Sequence, residues 1–149
     1  MPEAVTLRVA EPSDAGAVAS LIAALASDLS EPSTASGSYV ADVLRERRRQ
    51  VLLAERGAAV LGMLSLSFHA SLYHGAEACW VDELVVTPEA RNQGVGAKLL
   101  EQAIQMARAR TCTEATLSVM EANTDARRFY ERHGFEVTAV LMERHFQPG

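Results

Sequence analysis

A turn carrying two glycines, at residues 91–96, is the sequence feature that most restricts how this chain can fold. It joins an apolar run that ends before Pro88 to residues 94–110, whose apolar side chains recur at helical spacing. Gly94 and Gly96 allow the backbone to turn tightly and to approach a ligand closely. The first N–H groups of a helix lack intrahelical acceptors and lie at the positive end of its dipole. The segment therefore predicts a strand–turn–helix unit whose turn binds a diphosphate.

The rest of the hydrophobic pattern alternates between strand and helix periodicity. Two apolar runs separated by Arg56 and Gly57 predict an antiparallel hairpin. The predicted strands are residues 5–10, 51–55, 59–69, 78–87 and 115–120, followed by a last strand or hairpin at 135–146. The predicted helices are one that starts at residues 12–14, and others at 39–49, 94–110 and 124–132, with a loop at 29–38. This order predicts a single α/β domain over residues 1–149, with a mixed sheet covered by helices.

Composition and charge narrow the classes of function. The formal net charge of −5 argues against a nucleic-acid partner, because such binding depends on lysine and arginine. No run reaches the roughly 18 apolar residues of a membrane helix, and the N-terminus lacks the pattern of a signal peptide. Cys79 and Cys112 stand outside any metal-binding motif, so neither a disulfide framework nor a metal site is expected. We therefore expect a cytoplasmic protein without membrane contact.

Three phosphate-binding motifs compete for the glycine turn. A P-loop requires Gly-Lys-Ser/Thr, but Gly96 is followed by Ala97 and Lys98. A dinucleotide fingerprint requires a third glycine where Leu99 stands. The pattern Gln/Arg-x-x-Gly-x-Gly/Ala, which begins at Arg91, fits completely. With this pattern between a strand and a helix, the sequence resembles the GNAT superfamily of N-acetyltransferases.

A second motif supports the resemblance, which covers nearly the whole chain. Residues 123–135 (NTDARRFYERHGF) are similar to a second GNAT motif, and Asn123 is predicted to cap a helix that Gly134 ends. The resemblance implies a mostly antiparallel central sheet of six to seven strands flanked by about four helices. It also implies that acetyl-CoA is the cosubstrate and that the chain binds it through Leu84, Val85, Val86, Arg91, Asn92, Gln93, Gly94, Val95, Gly96, Ala97, Asn123, Ala126 and Phe129.

The resemblance also indicates an acid for the reaction. It implies that Tyr130 lies near the thioester sulfur, where its hydroxyl would protonate the departing thiolate. The alternative for Tyr130 is a packed aromatic side chain with a satisfied hydroxyl, and Phe129 is expected mainly to pack in the core. The oxyanion of the reaction needs a donor, which a backbone N–H of Leu84, Val85 or Val86 would supply.

The base candidates are two adjacent carboxylates. Many GNAT enzymes carry an acidic residue at the place matched by Asp82, which therefore ranks before Glu83. Strand alternation predicts that the two lie on opposite faces of the sheet, with Asp82 beside Trp80, Leu84 and Val86. At most one of them would then face the substrate. For either, a solvated or salt-bridged strand carboxylate is the alternative.

These residues predict an acetyl-CoA-dependent N-acetyltransferase that moves the acetyl group directly to a primary amine in a ternary complex. A non-catalytic acyl-CoA sensor or interaction module is the alternative, and a nucleotide-binding regulator is a third class. The identity of the acceptor remains open between small-molecule and peptide amines. Whether the chain forms a homodimer also remains open. His69 and His74 would line the acceptor site or relay a proton, unless they are simply solvated. The arginines at residues 45–49 are expected to form a solvated helix face.

Overall fold

The computed structural model describes residues 3–30, 32–33 and 35–147 of the chain. Two positions of the predicted loop at 29–38, residues 31 and 34, therefore lie outside the described residues. The chain divides into two compact units, Met1–Thr116 and Leu117–Gly149. The single-domain assignment stays a prediction.

The first unit is built on one mixed sheet. Its strands are β1 (Thr6–Val9), β2 (Arg49–Arg56), β3 (Ala59–Ser71), β4 (Ala76–Val86) and β5 (Ala115–Thr116), and they lie side by side in that order. The first four strands pair antiparallel, whereas β5 runs parallel to β4. The predicted hairpin between β2 and β3 and the long strand after it are confirmed.

Four α-helices occur in the described residues, at the predicted places. They are α1 (Ala15–Asp28), α2 (Gly37–Leu44), α3 (Val95–Ala109) and α4 (Thr124–Arg132), the last in the second unit. A 3-10 turn at Pro12–Asp14 leads into α1, and the side chain of Ser36 caps α2 by accepting from the N–H of Tyr39 at 3.2 Å. Helix α2 ends at Leu44 and not at residue 49 as predicted, because Arg49 already pairs with β3 as the first residue of β2.

The helices cover both faces of the sheet in the first unit. On one face, Val51, Leu53 and Met63 form a buried cluster with residues of α1 and α2. On the opposite face, α3 packs with Leu99 and Leu100 fully buried. Because side chains alternate along a strand, each central strand contributes to both clusters, which explains the nearly continuous apolar sequence of β2 and β3.

The sheet has five strands among the described residues, fewer than the six to seven predicted. Strand β5 contains two residues, and residues 135–147 form no strand. A strand needs a neighbour that accepts its backbone hydrogen bonds, and this segment has no such ladder. Its apolar side chains are exposed, among them Val137, Val140 and Met142. None of the helices in the part of the chain that the structure describes has the length and apolarity needed to cross a membrane.

Candidate active site

The start of α3 exposes a row of backbone donors. Gly94 caps the helix with a φ of 79°, a left-handed conformation that favours glycine. The first intrahelical bond runs from the N–H of Lys98 to the carbonyl of Gly94 at 3.1 Å. The N–H groups of Val95, Gly96 and Ala97 precede that bond and therefore have no acceptor within the helix. The predicted turn can thus bind an anion through its main chain, because these donors also lie at the positive end of the helix dipole.

Side chains of the turn hold its backbone in place. Arg91 donates to the carbonyl of Val86 at 3.3 Å and forms an ion pair with Asp28 at 2.8 Å. Gln93 donates to the carbonyl of Glu89 at 2.9 Å. We infer that these side chains shape the turn, while its N–H groups remain available to a ligand.

An arginine beneath the turn adds positive charge. Arg56, the last residue of β2, donates to the side-chain oxygen of Gln93 at 3.1 Å. Its Nε is buried and has no hydrogen-bond partner in the described residues. A guanidinium with an unused donor raises the local positive potential, so the residues present fit a diphosphate group.

One edge of β4 is open next to this turn. Strand β5 pairs only with Cys79 and Trp80, so no strand covers that edge of β4 further along in the described residues. The N–H of Thr87 donates to β3 at 2.8 Å, and N–H groups alternate between the two edges of a strand. The N–H of Val85 therefore points to β3, whereas those of Leu84 and Val86 point to the open edge. Of the three predicted oxyanion donors, these two have the suitable direction.

A β-bulge interrupts the pairing of β3 with β4 at Asp82. Ser65 pairs with Glu83 and Leu66 pairs with Val81, so Asp82 has no partner on β3. An extra residue in one strand shifts the alternation of side chains on either side of it. The faces assigned to β4 from simple alternation therefore need correction.

The bulge separates residues that were predicted to share a face. Trp80 pairs with Ser67, whereas Leu84 pairs with Leu64. Ser67 and Leu64 are three positions apart on β3 and so lie on opposite faces. The prediction that Asp82 shares its face with both Trp80 and Leu84 is wrong, because those two residues themselves lie on opposite faces.

Both carboxylates contact side chains on the same face of the sheet. Glu83 accepts a hydrogen bond from the hydroxyl of Ser65, and its N–H donates to that oxygen at 3.0 Å. Asp82 Oδ2 lies 3.2 Å from Nη1 of Arg49, which pairs with Ser67. Ser65 and Ser67 are two positions apart on β3 and share a face. The prediction that Asp82 and Glu83 lie on opposite faces is therefore wrong, because both side chains lie on one face of the sheet.

A groove of about 440 Å³ lies on the first unit near these acids. Its walls include Glu46, Arg48, Arg49, Ser67 and His69. The imidazole Nε2 of His69 is 3.1 Å from the hydroxyl oxygen of Ser67. His69 thus lines a groove, while its role in the acceptor site stays a prediction. Arg49 lies at the start of β2 and not on a helix face as expected.

The other predicted histidine has a different neighbour. His74 lies in the turn between β3 and β4, and its Nε2 is 3.5 Å from a carboxylate oxygen of Glu114. Sequence reasoning also missed Ser65 and Ser67, which are buried polar residues of the sheet. The signal was present, because two serines at alternate positions interrupt an otherwise apolar strand.

The two cysteines are unsuited to covalent catalysis. Burial raises the pKa of the Cys79 thiol to about 11, and burial also raises the pKa of Cys112. Since the thiolate is the nucleophilic form, both groups are weak nucleophiles at neutral pH. Within the described ranges, no cluster of three or more histidine, cysteine or acidic side chains is suited to a metal ion.

The second unit carries the other predicted residues on α4. Asn123 caps this helix by accepting from the N–H of Ala126 at 3.2 Å, as predicted. The ring of Tyr130 lies 5.2 Å from that of Phe129 and 5.9 Å from that of Phe135. Burial raises the pKa of Tyr130 above its ordinary value of 10, which keeps its hydroxyl protonated. Gly134, with a φ of 91°, follows the end of the helix as expected.

Comparisons with known proteins found similar sequences. The model of the acetyltransferase (GNAT) family matches residues 19–135. An aminoalkylphosphonate N-acetyltransferase of Salmonella typhimurium is 38% identical over 84 residues, which are 56% of this chain and 54% of that protein. A mycothiol acetyltransferase of Thermobispora bispora is 33% identical over 145 residues, which are 91% of this chain and 48% of that protein. The chain therefore spans about half the length of these two curated relatives.

The fold is also found among solved structures. The crystal structure of a transcriptional regulator from Bacillus halodurans C-125 is similar with a TM-score of 0.84 and 27% identity. The similarity covers 96% of this chain and 100% of that one.

Proposed function

This chain belongs to the acetyltransferase (GNAT) family, and from that premise we propose that it transfers an acetyl group from acetyl-CoA directly to a primary amine. The family uses acetyl-CoA as its cosubstrate, which supplies an activated thioester. The observation that carries the proposal is the row of free N–H groups at Val95, Gly96 and Ala97 beside the open edge of β4. The N–H groups of the turn would bind the diphosphate of acetyl-CoA, and the open edge would bind the extended arm of the same molecule.

The backbone of β4 supplies the oxyanion site in this proposal. The N–H groups of Leu84 and Val86 point to the open edge, where they can donate to the developing charge. Arg91, Asn92, Gln93 and Gly94 are proposed to shape the turn for the diphosphate. Val85 is proposed to contribute through packing, because its side chain is 5% exposed and its N–H faces β3.

One of the two carboxylates at the bulge, Asp82 or Glu83, is proposed as the base. An amine attacks only in its neutral form, so the acceptor must lose a proton on the way to the product. Glu83 is held by Ser65 at the bulge, and Asp82 lies beside it with Arg49 as its partner. Either carboxylate can accept the proton directly or through a water. Direct transfer is favoured because both cysteine thiols have raised pKa values.

Tyr130 is proposed as the acid that protonates the departing thiolate. A phenol whose pKa is raised by burial is fully protonated at neutral pH, as this task requires. Asn123, Ala126 and Phe129 on the same helix are proposed to support the binding of acetyl-CoA. A cytoplasmic location and a homodimer also remain predictions.

The acceptor is proposed to be a small molecule before a peptide. The names of the two curated relatives refer to aminoalkylphosphonate and to mycothiol. Another relative is named a peptidyl-lysine N-acetyltransferase, but that match covers only 39% of this chain. Names of relatives support a substrate class for this chain and do not establish it.

Calorimetry with acetyl-CoA and a thiol-release assay with a panel of amines test the proposal together. We expect saturable binding of acetyl-CoA, and release of CoA only when an amine is present. Tyr130→Phe and Asp82→Ala should lower turnover while the affinity for acetyl-CoA stays the same. Absence of binding contradicts the proposal, and binding without turnover for any amine supports the non-catalytic alternative that the name of the solved regulator suggests.

A further inference from the structure

We propose that the groove beside the bulge binds an anionic group of the acceptor, so that the substrate is a short amine carrying a carboxylate or a phosphonate. This inference rests on the proposed acetyl transfer. It concerns the groove between the start of β2 and the end of β3, which the proposed binding of acetyl-CoA does not use.

The charge of the groove walls is the first argument. Arg48 and Arg49 both line it, and Glu46 is the acid among its lining residues. Arg48 forms none of the ion pairs found among the described residues, and Arg49 forms one, with Asp82. Each guanidinium has five N–H donors, which are arranged to bind a carboxylate or phosphonate in a bidentate manner. The two side chains therefore retain most of their capacity for an anion.

The side chains of Ser67 and His69 extend the same wall. The hydroxyl of Ser67 and the imidazole of His69 lie 3.1 Å apart in the groove. Ser67 is 5% exposed, so its position is fixed by the sheet, whereas His69 is accessible to solvent. An anion between these groups and the arginines would have donors from two neighbouring strands, β2 and β3.

The distance between Arg49 and the carboxylates sets the length of the acceptor. Nη1 of Arg49 is 3.2 Å from Asp82, and Asp82 is adjacent to Glu83. A guanidinium and a carboxylate so close together match a zwitterion whose nitrogen and anionic group are a few bonds apart. A polyamine would instead place a second positive charge next to Arg48 and Arg49, which is unfavourable. The local charge thus favours an anionic acceptor although the whole chain carries a net charge of −5.

Matched acceptors test the substrate class in the wild-type chain. The compounds are classed by the group that they carry besides the acceptor amine. The anionic compounds are β-alanine and 2-aminoethylphosphonate, the neutral ones are propylamine and ethanolamine, and the cationic one is 1,3-diaminopropane. We expect kcat/KM for at least one anionic acceptor to exceed that of the neutral amines by about 10-fold or more, with the diamine lowest. The two anionic compounds distinguish a site for a planar carboxylate from a site for a tetrahedral phosphonate.

Variants of the groove locate the effect. Arg49→Gln should reduce the ratio of kcat/KM for anionic over neutral acceptors by about 10- to 100-fold, and Arg49→Lys should restore part of it. Loss of the Arg49–Asp82 ion pair would change proton transfer to the base for all acceptors alike, so this effect cancels in the ratio. Arg47→Gln is the matched control. It removes the same charge two positions before Arg49, and the side chain of Arg47 does not line the groove.

The outcomes separate this inference from the proposed function. Equal or better turnover of neutral amines by the wild type overturns the inference and leaves acetyl transfer intact. A ratio that Arg49→Gln leaves unchanged, or that Arg47→Gln lowers as much, also overturns it. Failure of the proposed function gives a different result, because no amine in the panel would then cause release of CoA, and the inference would fall with it.

Discussion

Ser65 and Glu83 face each other across β3 and β4 and are joined by two hydrogen bonds. The serine hydroxyl donates to the carboxylate and accepts from the N–H of Glu83 at 3.0 Å. Ser65 is 2% exposed, so solvent cannot replace it. This contact fixes the orientation of a carboxylate directly beside the bulge at Asp82, where the proposed base is located.

Removing the Ser65 hydroxyl should slow catalysis without weakening cofactor binding. We expect Ser65→Ala to lower kcat by about 10-fold, because a hydrogen bond to a charged group is lost and the carboxylate becomes mobile. The KM for acetyl-CoA should stay unchanged. Ser65→Thr keeps the hydroxyl and should recover much of the rate, which a purely structural role would not predict.

A double-mutant cycle decides whether this effect passes through Glu83. If Glu83 is the base, Ser65→Ala should add little to the loss already caused by Glu83→Gln. If Ser65 acts independently of Glu83, the losses should multiply. Steady-state thiol release with a single acceptor measures all four proteins.

The glycine turn should lose affinity for CoA when Gly94 is replaced. Its φ of 79° costs an L-residue on the order of 1 kcal/mol, so Gly94→Ala should distort the turn or destabilise the fold by that amount. We expect the Kd of CoA to rise by about 5- to 20-fold, because the N–H groups of the turn are displaced. Calorimetry measures the change.

Gly75→Ala provides the matched control for this substitution. Gly75 has a φ of 64° in the turn between β3 and β4, and an added Cβ would meet no atom within 4 Å there, as is also true at Gly94. Both variants should lower the free energy of unfolding similarly in urea, and only Gly94→Ala should weaken CoA binding. Equal Kd values for the two variants would contradict the assigned role of the turn.

The parts of the fold that depend on local pattern were predictable from the sequence. The strand–turn–helix unit, the hairpin at Arg56 and Gly57, and the cap at Asn123 each follow from neighbouring residues, and the structure contains them. The bulge at Asp82 was not predictable, because it is defined by the pairing of β4 with a strand that is distant in sequence.

The role of Arg49 was hidden for a related reason. Residues 45–49 have the composition of a helix end, but pairing between Arg49 and Ser67 ends the helix early and turns Arg49 towards Asp82. Tertiary pairing thus overrides local propensity here. The prediction of a last strand failed in the opposite way, since residues 135–146 contain several apolar residues but form no ladder in the described part of the chain.

Tyr130 should contribute to turnover equally over a broad pH range. Burial raises its pKa above the ordinary value of a tyrosine, so the hydroxyl remains protonated from pH 7 to pH 9. Tyr130→Phe should lower kcat by roughly 10- to 100-fold, and the ratio of wild type to variant should stay constant across that range. Tyr39→Phe, at a side chain that is 63% exposed on α2, should leave kcat unchanged. A ratio that falls between pH 7 and pH 9 would contradict a protonated acid at this position.

The ion pair of Asp14 with Arg8 should make the first unit sensitive to acid. Arg8 donates to both carboxylate oxygens of Asp14 at 2.8 Å, and the N–H of Glu11 donates at the same distance, which lowers the pKa of Asp14 to about 2. A carboxylate whose pKa is lowered by folding stabilises the fold at pH values above its pKa in the unfolded chain, which is near 3.9. This stabilisation is lost as the pH falls towards 2. Asp14→Asn keeps an acceptor for Glu11 but removes the charge, so the difference from wild type isolates the ion pair.

Urea unfolding of both proteins at pH 7, 5, 4 and 3 measures that difference. We expect the free energy of unfolding of Asp14→Asn to be lower by about 0.5–1 kcal/mol at pH 7, since the Arg8 side chain is 42% exposed and solvent screens the pair. The difference should hold at pH 5 and fall to about half by pH 3. Asp42→Asn removes an ion pair with side chains that are 60% and 80% exposed, and it should have a smaller effect at pH 7. A difference for Asp14→Asn that is unchanged at pH 3 would show that the charge of Asp14 is not its source.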